Sequence, residues 1–244
     1  MRNVMEKKDF HSIQKIVDAL VDKGIVNDPS PVSRALKGDG SFEMVNLIFY
    51  INENLPNHIN HKCQTLRISL TAHKKELPAI KSLYPDNYEF KVSILGEVGE
   101  KTVINCFHID YDCGRETLDE KDKFIHPLYH LTFGGMELDD YYVGDFLNIP
   151  SPRFAVLPMD VILIIDFILS NFLTKTKYEK IKCESAYLDE LHNSQAKYWK
   201  PYFHNIGIKW ANVISSKSTS QTFAFDNAFD NKYFRNLLFP TLID

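Results

Sequence analysis

The side chains able to do chemistry are concentrated between Cys106 and Gly135. The chain reads Cys106-Phe-His108-Ile-Asp110-Tyr-Asp112-Cys113-Gly and later His126-Pro-Leu-Tyr-His130-Leu-Thr132-Phe-Gly-Gly135. Successive residues of a β-strand point to opposite faces. A strand through the first run therefore sets Cys106, His108, Asp110 and Asp112 on one face and Phe107, Ile109 and Tyr111 on the other. A strand through the second run groups His126, Leu128, His130 and Thr132 opposite Tyr129, Leu131 and Phe133. Pairing these strands with their polar faces together brings the histidines and aspartates within reach of one another.

Imidazole and carboxylate are the ligand set for zinc, manganese or iron. They also form the usual general acid–base pair, because a carboxylate fixes the tautomer of its histidine and raises its basicity. His108, Asp110, Asp112, His126 and His130 are thus candidate ligands for a divalent metal, with His108, Asp110 and His130 as candidate catalytic residues. A phosphoesterase or nuclease can be built from such parts. A sheet with one face on the core and one in water shows the same alternation without chemistry, and a solvated face is the plainer expectation. His126-Pro127 suits entry into an edge strand. Gly134-Gly135 reads as a turn, with neither a G-x-G-x-x-G pattern nor a P-loop lysine beside it.

The elements that must position these residues are read from periodicity. Asp9 to Lys23 carries Phe10, Ile13, Val17, Leu20 and Val21 on one side of a helix, with Gly24 as its stop. Pro29, Pro31, Gly38 and Gly40 mark a turn-rich connection with a short helix between Val32 and Lys37. Phe42 to Leu55 fits helix and strand equally. Strands are expected at 66–71, 88–95, 102–111 and 128–133, with a further one at 141–149 before Pro150-Ser-Pro152. Gly96 to Lys101 suits a hairpin connection, and the charged run 112–125 belongs in water. A helix is expected over 72–83, closed by Pro85, a buried one over 156–173 with Pro158 at its start, and a charged one over 177–199. Ser215 to Ser220 reads as a polar loop, and the Phe-rich end of the chain, from Phe223 to Phe239, as a segment docked on the body or on a partner. The pattern predicts one α+β domain over 1–244, with a central, mostly antiparallel sheet flanked by N- and C-terminal helices. Residues 177–244 read as its helical and aromatic subdomain.

Other groups have plainer explanations. Arg153 and the start of the buried helix suit an anion, but a pairing of Arg153 with Asp160 is the simpler expectation. His73, Lys74 and Lys75 read as a solvated helical face. Trp199, Tyr202, Phe203 and Trp210 could stack bases, though a core or partner contact suits the acidic charge better. No serine stands in a nucleophile elbow, and Cys106 and Cys113 lack the setting of an activated thiol.

A net charge of −4 over 244 residues argues against a protein devoted to gripping duplex phosphates. Four scattered cysteines, Cys63, Cys106, Cys113 and Cys183, form no C-x-x-C pair and read as reduced thiols. The N-terminus has no signal-peptide pattern, so the cytoplasm is the expected compartment. The apolar run 156–173 imitates a membrane span, but Asp160 and Asp166 interrupt it. Each aspartate near a bilayer centre costs about 3 kcal/mol, so no membrane association is expected.

The order His108-Ile-Asp-Tyr-Asp112, His126-Pro-x-x-His130-Leu-x-Phe-Gly-Gly135, Ile149-Pro-Ser-Pro-Arg153, and an apolar helix with Asp166-Phe-Ile-Leu resembles a family of uncharacterised bacterial proteins. The resemblance covers about 102–173. The family has no assigned activity, and its setting in accessory genome regions implies a link to anti-phage defence. The expectation is a cytosolic bacterial accessory protein acting by binding a protein partner, as part of a defence or multi-protein module. The alternatives are the metal-dependent phosphoesterase or nuclease above and a protein binding nucleic acid through a local patch.

Overall fold

The strand-like runs between Glu43 and Ala155 assemble into one sheet. The computed structural model describes residues 5–52, 65–74, 88–98, 101–111, 129–134, 138 and 154–215. Strands β1 (Glu43–Ile51), β2 (Leu66–Lys74), β3 (Tyr88–Val98), β4 (Lys101–Tyr111), β5 (Tyr129–Phe133) and β6 (Phe154–Ala155) lie side by side in chain order. Every neighbouring pair is antiparallel. Helices α1 (Lys7–Asp22) and α2 (Ser30–Ser33) precede the sheet, and α3 (Val161–Phe172), α4 (Lys175–Lys182) and α5 (Ser185–Ser215) follow it. The fold is α+β, with an antiparallel sheet and helices at both ends of the described chain.

One face of the sheet is dry. Phe49, Ile68, Leu70, Phe90, Val92, Phe107, Ile109 and Leu131 join Ile13, Ile16, Val17 and Leu20 of α1 and Ile164, Ile165 and Ile168 of α3 in one hydrophobic core. Phe107 of β4 meets Phe167 of α3 edge to face, centroids 5.9 Å apart. Each fully buried aliphatic or aromatic side chain stabilises this layer by about 1.5–3 kcal/mol. That packing sets the direction of the other face, because alternate residues of β4 and β5 must point away from the helices.

The segment that fitted helix and strand equally is β1, and a bulge explains the ambiguity. Met44 pairs with Ala72 but Leu47 with Leu70, so β1 carries one extra residue. Asn46 takes a φ of 57°, a left-handed conformation that asparagine tolerates better than most residues. Its amide donates to Thr71 Oγ1 at 3.2 Å, and its Oδ1 accepts from Ser69 Oγ at 3.0 Å. The slip lets Met44, Leu47, Phe49 and Ile51 all reach the core.

Several expected boundaries move. Ala72, His73 and Lys74 belong to β2 rather than to a helix, because Ala72 faces Phe90 and the ladder runs on to Lys74 opposite Tyr88. Lys74 is buried, not part of a solvated helical face. The buried helix starts at Val161, not at Pro158: Asp160 takes the extended N-cap conformation and accepts from the Leu163 amide at 2.9 Å. The Pro158 carbonyl accepts from Trp199 Nε1 at 2.9 Å instead. The charged helical stretch is two helices, broken at Cys183, and α5 continues through Pro201. The short helix after Pro29 covers Ser30 to Ser33. Val98 pairs with Lys101, as a tight hairpin requires. The expectations for 112–125, 141–149, Arg153 and the Phe-rich C-terminal end lie outside the described residues. Among the described residues no helix is long and apolar enough to cross a membrane, and Cys106 and Cys183 are free thiols.

Candidate metal centre

Strand register decides which polar side chains meet. Across β4 and β5, His108 faces Thr132 and Asp110 faces His130, while Ile109 faces Leu131 on the core side. Directly opposed residues of an antiparallel pair share a face, with Cβ atoms about 4.5–5.5 Å apart. His108, Asp110, His130 and Thr132 therefore occupy four corners of one patch. One ligand atom each from His108, Asp110 and His130 lies within 4.8 Å of the other two. His130 Nε2 lies 2.8 Å from Asp110 Oδ1.

Burial across this patch is uneven. The His130 side chain is 3% exposed against 24% for Asp110, and Thr132 is 0% exposed. A sheet face simply open to water would leave all of these wet, so the solvated-face expectation fails at His130 and Thr132. His108 and Asp110 keep partial access to solvent. Beyond them, exposed Lys91 on β3 faces His108, and Thr71 on β2 faces Lys91. The row Thr71, Lys91, His108, Thr132 thus crosses four strands on the polar side.

The donor set fits a divalent transition ion. Ligand bonds of about 2.0–2.1 Å place neighbouring donor atoms roughly 3.0–3.4 Å apart, so ligand atoms at the 4.8 Å limit must close by roughly 1.4–1.8 Å to share one ion. Two imidazoles and one carboxylate leave further coordination positions open, a pattern found in metal sites that do chemistry. Of the five expected ligands, the structure brings His108, Asp110 and His130 together. Asp112 and His126 lie outside the described residues. Cys106, on the same face, is buried, with Sγ 3.6 Å from the Gly134 carbonyl oxygen.

Two further carboxylates are held by structural partners. Burial pushes the Asp160 carboxyl up to about 6, against opposing hydrogen bonds from Leu163 and Ser194 and the charge of Lys197. Its Oδ2 accepts from Ser194 Oγ at 2.7 Å, so both of its oxygens serve the junction of α3 and α5. Asp160 lines a cavity of about 310 Å³ between α1, α3 and α5, where Lys197 also pairs with Asp9 at 2.7 Å. Asp166 Oδ1 accepts from the hydroxyls of Tyr178 at 2.9 Å and Tyr187 at 3.0 Å. Burial, and then the facing carboxylate, hold both phenols above their ordinary range.

Sequence reasoning put Thr132 on the right face but gave it no role, and it missed Lys91. Thr132 is legible only through the register that sets it opposite His108. Lys91 is legible only once β3 is known to flank β4. Comparisons with protein-family models, with curated proteins and with solved structures find no match.

Proposed function

We propose that this chain is a metal-dependent phosphoesterase or nuclease whose divalent ion is held by His108, Asp110 and His130. The observation that carries the reading is the convergence of three ligand atoms within 4.8 Å on two paired strands, one of them on a histidine almost sealed from water. When bound, the ion would polarise a phosphoryl oxygen and acidify a bound water. His130 supplies the rigid side of the site, since β5 is buried on both faces there. Asp110 supplies the negative charge that favours a dication over a monovalent ion. Lys91, exposed and directly opposite His108 on β3, is a basic residue beside the path of an approaching phosphate. The cytosol is the compartment this reading implies, in keeping with the free thiols of Cys106 and Cys183. Hydrolysis of bis(p-nitrophenyl) phosphate and of single-stranded DNA, with manganese or zinc added, tests it. Chelation should abolish turnover, and His130→Ala should lower it by more than about 100-fold. Turnover indifferent to both would overturn the assignment.

A second reading, an accessory protein that acts by binding a protein partner in a defence or multi-protein module, is favoured by a different observation. Phe133 and Phe154, 53% and 48% exposed, stand edge to face at the β5–β6 end of the sheet with centroids 6.2 Å apart. Exposed aromatic pairs are costly in water and common in interfaces. Light scattering of the chain mixed with the products of its neighbouring genes tests this, with Phe133→Ser/Phe154→Ser as the control. A chain that stays monomeric in every mixture counts against it.

A further inference from the structure

We infer that Thr132 donates its hydroxyl hydrogen bond to a phosphate oxygen seated at the open position of the His108–Asp110–His130 centre. The inference rests on the metal-centre reading and adds to it the oxyanion and the residue that recognises it. Thr132 is 0% exposed, and its Oγ1 is shut off from solvent with no hydrogen-bond partner among the described residues. A buried hydroxyl without a partner costs stability, and in native proteins such a group calls for a specific cause. Valine has nearly the same shape, is a better strand former and would fill the same space without that cost. The hydroxyl is therefore best explained by something it bonds when the site is filled.

Its position says what that is. Thr132 lies directly opposite His108 and two residues from His130 on the same strand face, about 7 Å along β5. Three corners of the patch carry ligand atoms, and the fourth carries this hydroxyl. A neutral hydroxyl is a poor ligand for an ion that prefers imidazole and carboxylate, but it is a good donor to an oxygen that the ion already holds. Unprotonated phosphate oxygens only accept, and they match both this donor and the basic side chain of Lys91 in the same row of the sheet. Being β-branched, Thr132 has few χ1 choices, so the hydroxyl direction is set in advance.

Cobalt(II) reports each step separately, because its visible bands appear on uptake and shift when inorganic phosphate joins the ion. Wild type should take up one cobalt per chain and shift on phosphate addition. Thr132→Val should load cobalt as well as wild type, keep or gain stability without metal, and bind phosphate about tenfold more weakly. Thr132→Ser should stay within about twofold of wild type. Unchanged phosphate affinity in a cobalt-loaded Thr132→Val protein would overturn the role of Thr132 and leave the metal centre standing. A marked loss of metal-free stability in Thr132→Val would also overturn it, since the hydroxyl would then have a structural partner. Failure of wild type to take up cobalt would overturn the centre and this inference together.

Discussion

Asp110 and His130 face each other across β4 and β5, with Oδ1 and Nε2 2.8 Å apart; the histidine is sealed from solvent, and Asp110 is partly open although its Oδ1 is itself buried. The pair thus has a fixed inner half and an accessible outer half, the arrangement needed to hold an ion at the edge of a dry layer. Asp110→Asn keeps the shape and removes the charge. Its zinc affinity should fall by at least about tenfold while the far-UV circular dichroism stays that of wild type. Equal affinities would remove Asp110 from the ligand set.

Ion binding must also stabilise the fold, because the unfolded chain cannot gather residues from two strands. At a free ion concentration 100 times Kd the gain is about 2.7 kcal/mol. For a chain of this size that raises Tm by about 5–10 °C. The double variant His108→Ala/His130→Ala should show no rise. Equal rises in both proteins would place the ion elsewhere.

Asp160 gives the molecule a pH dependence of known sign. Its folded-state carboxyl titrates at about 6, above the ordinary 3.8. Between those values the unfolded chain has released a proton that the folded chain still holds, so this group's contribution is present below 3.8 and lost as pH rises through 6. Asp160→Asn can still cap α3 and does not titrate. Between pH 4 and 7 the wild type should lose roughly 3 kcal/mol relative to the variant in urea denaturation. Parallel profiles would contradict the assignment. The groups around Asp160 are the Leu163 amide, Ser194, Lys197 and Asp9, all unaltered by the substitution.

Asp166 ties α3 to α4 and α5 through two tyrosine hydroxyls. Tyr187→Phe removes one hydrogen bond to a carboxylate and should cost about 1.5–3 kcal/mol. Asp166→Ala should cost more, because the buried Tyr187 hydroxyl then keeps no acceptor there. Chemical denaturation of both variants gives the ordering, and a cheaper Asp166→Ala would refute it.

The β1 bulge depends on one residue that accepts a positive φ. Asn46→Gly should be nearly neutral, the lost side-chain bonds offset by relief of the left-handed strain. Asn46→Val should cost about 1–2 kcal/mol from backbone strain alone. Equal stabilities would mean that the bulge moves freely.

The sheet was legible where period two ran unbroken, as at Leu66, Ile68 and Leu70 or at Phe107 and Ile109. It was illegible in β1, where the extra residue at Asn46 turns the spacing from Met44 to Leu47 into three and imitates a helix. The helix expected over 72–83 does not start at Ala72, because residues 72–74 of β2 pair with β3 and tertiary pairing outweighs local propensity; the rest of that stretch lies outside the described residues. Pro158 looked like a first helical residue, whereas the capping carboxylate two residues later sets the start. At the candidate site, shared faces followed from alternation alone. Proximity did not, because the pairing of Asp110 with His130 rather than His126 depends on register. Nor did burial, since a strand pattern cannot say that His130 and Thr132 are covered on their polar face.

The most direct measurement of the central assignment is metal content and affinity of the purified chain, by elemental analysis and cobalt titration, beside His108→Ala/His130→Ala. The expected result is one tightly held divalent ion per wild-type chain, with its cobalt bands, and none in the double variant. A wild-type chain that retains and takes up no ion, or a double variant that binds one as tightly, would contradict the metal centre.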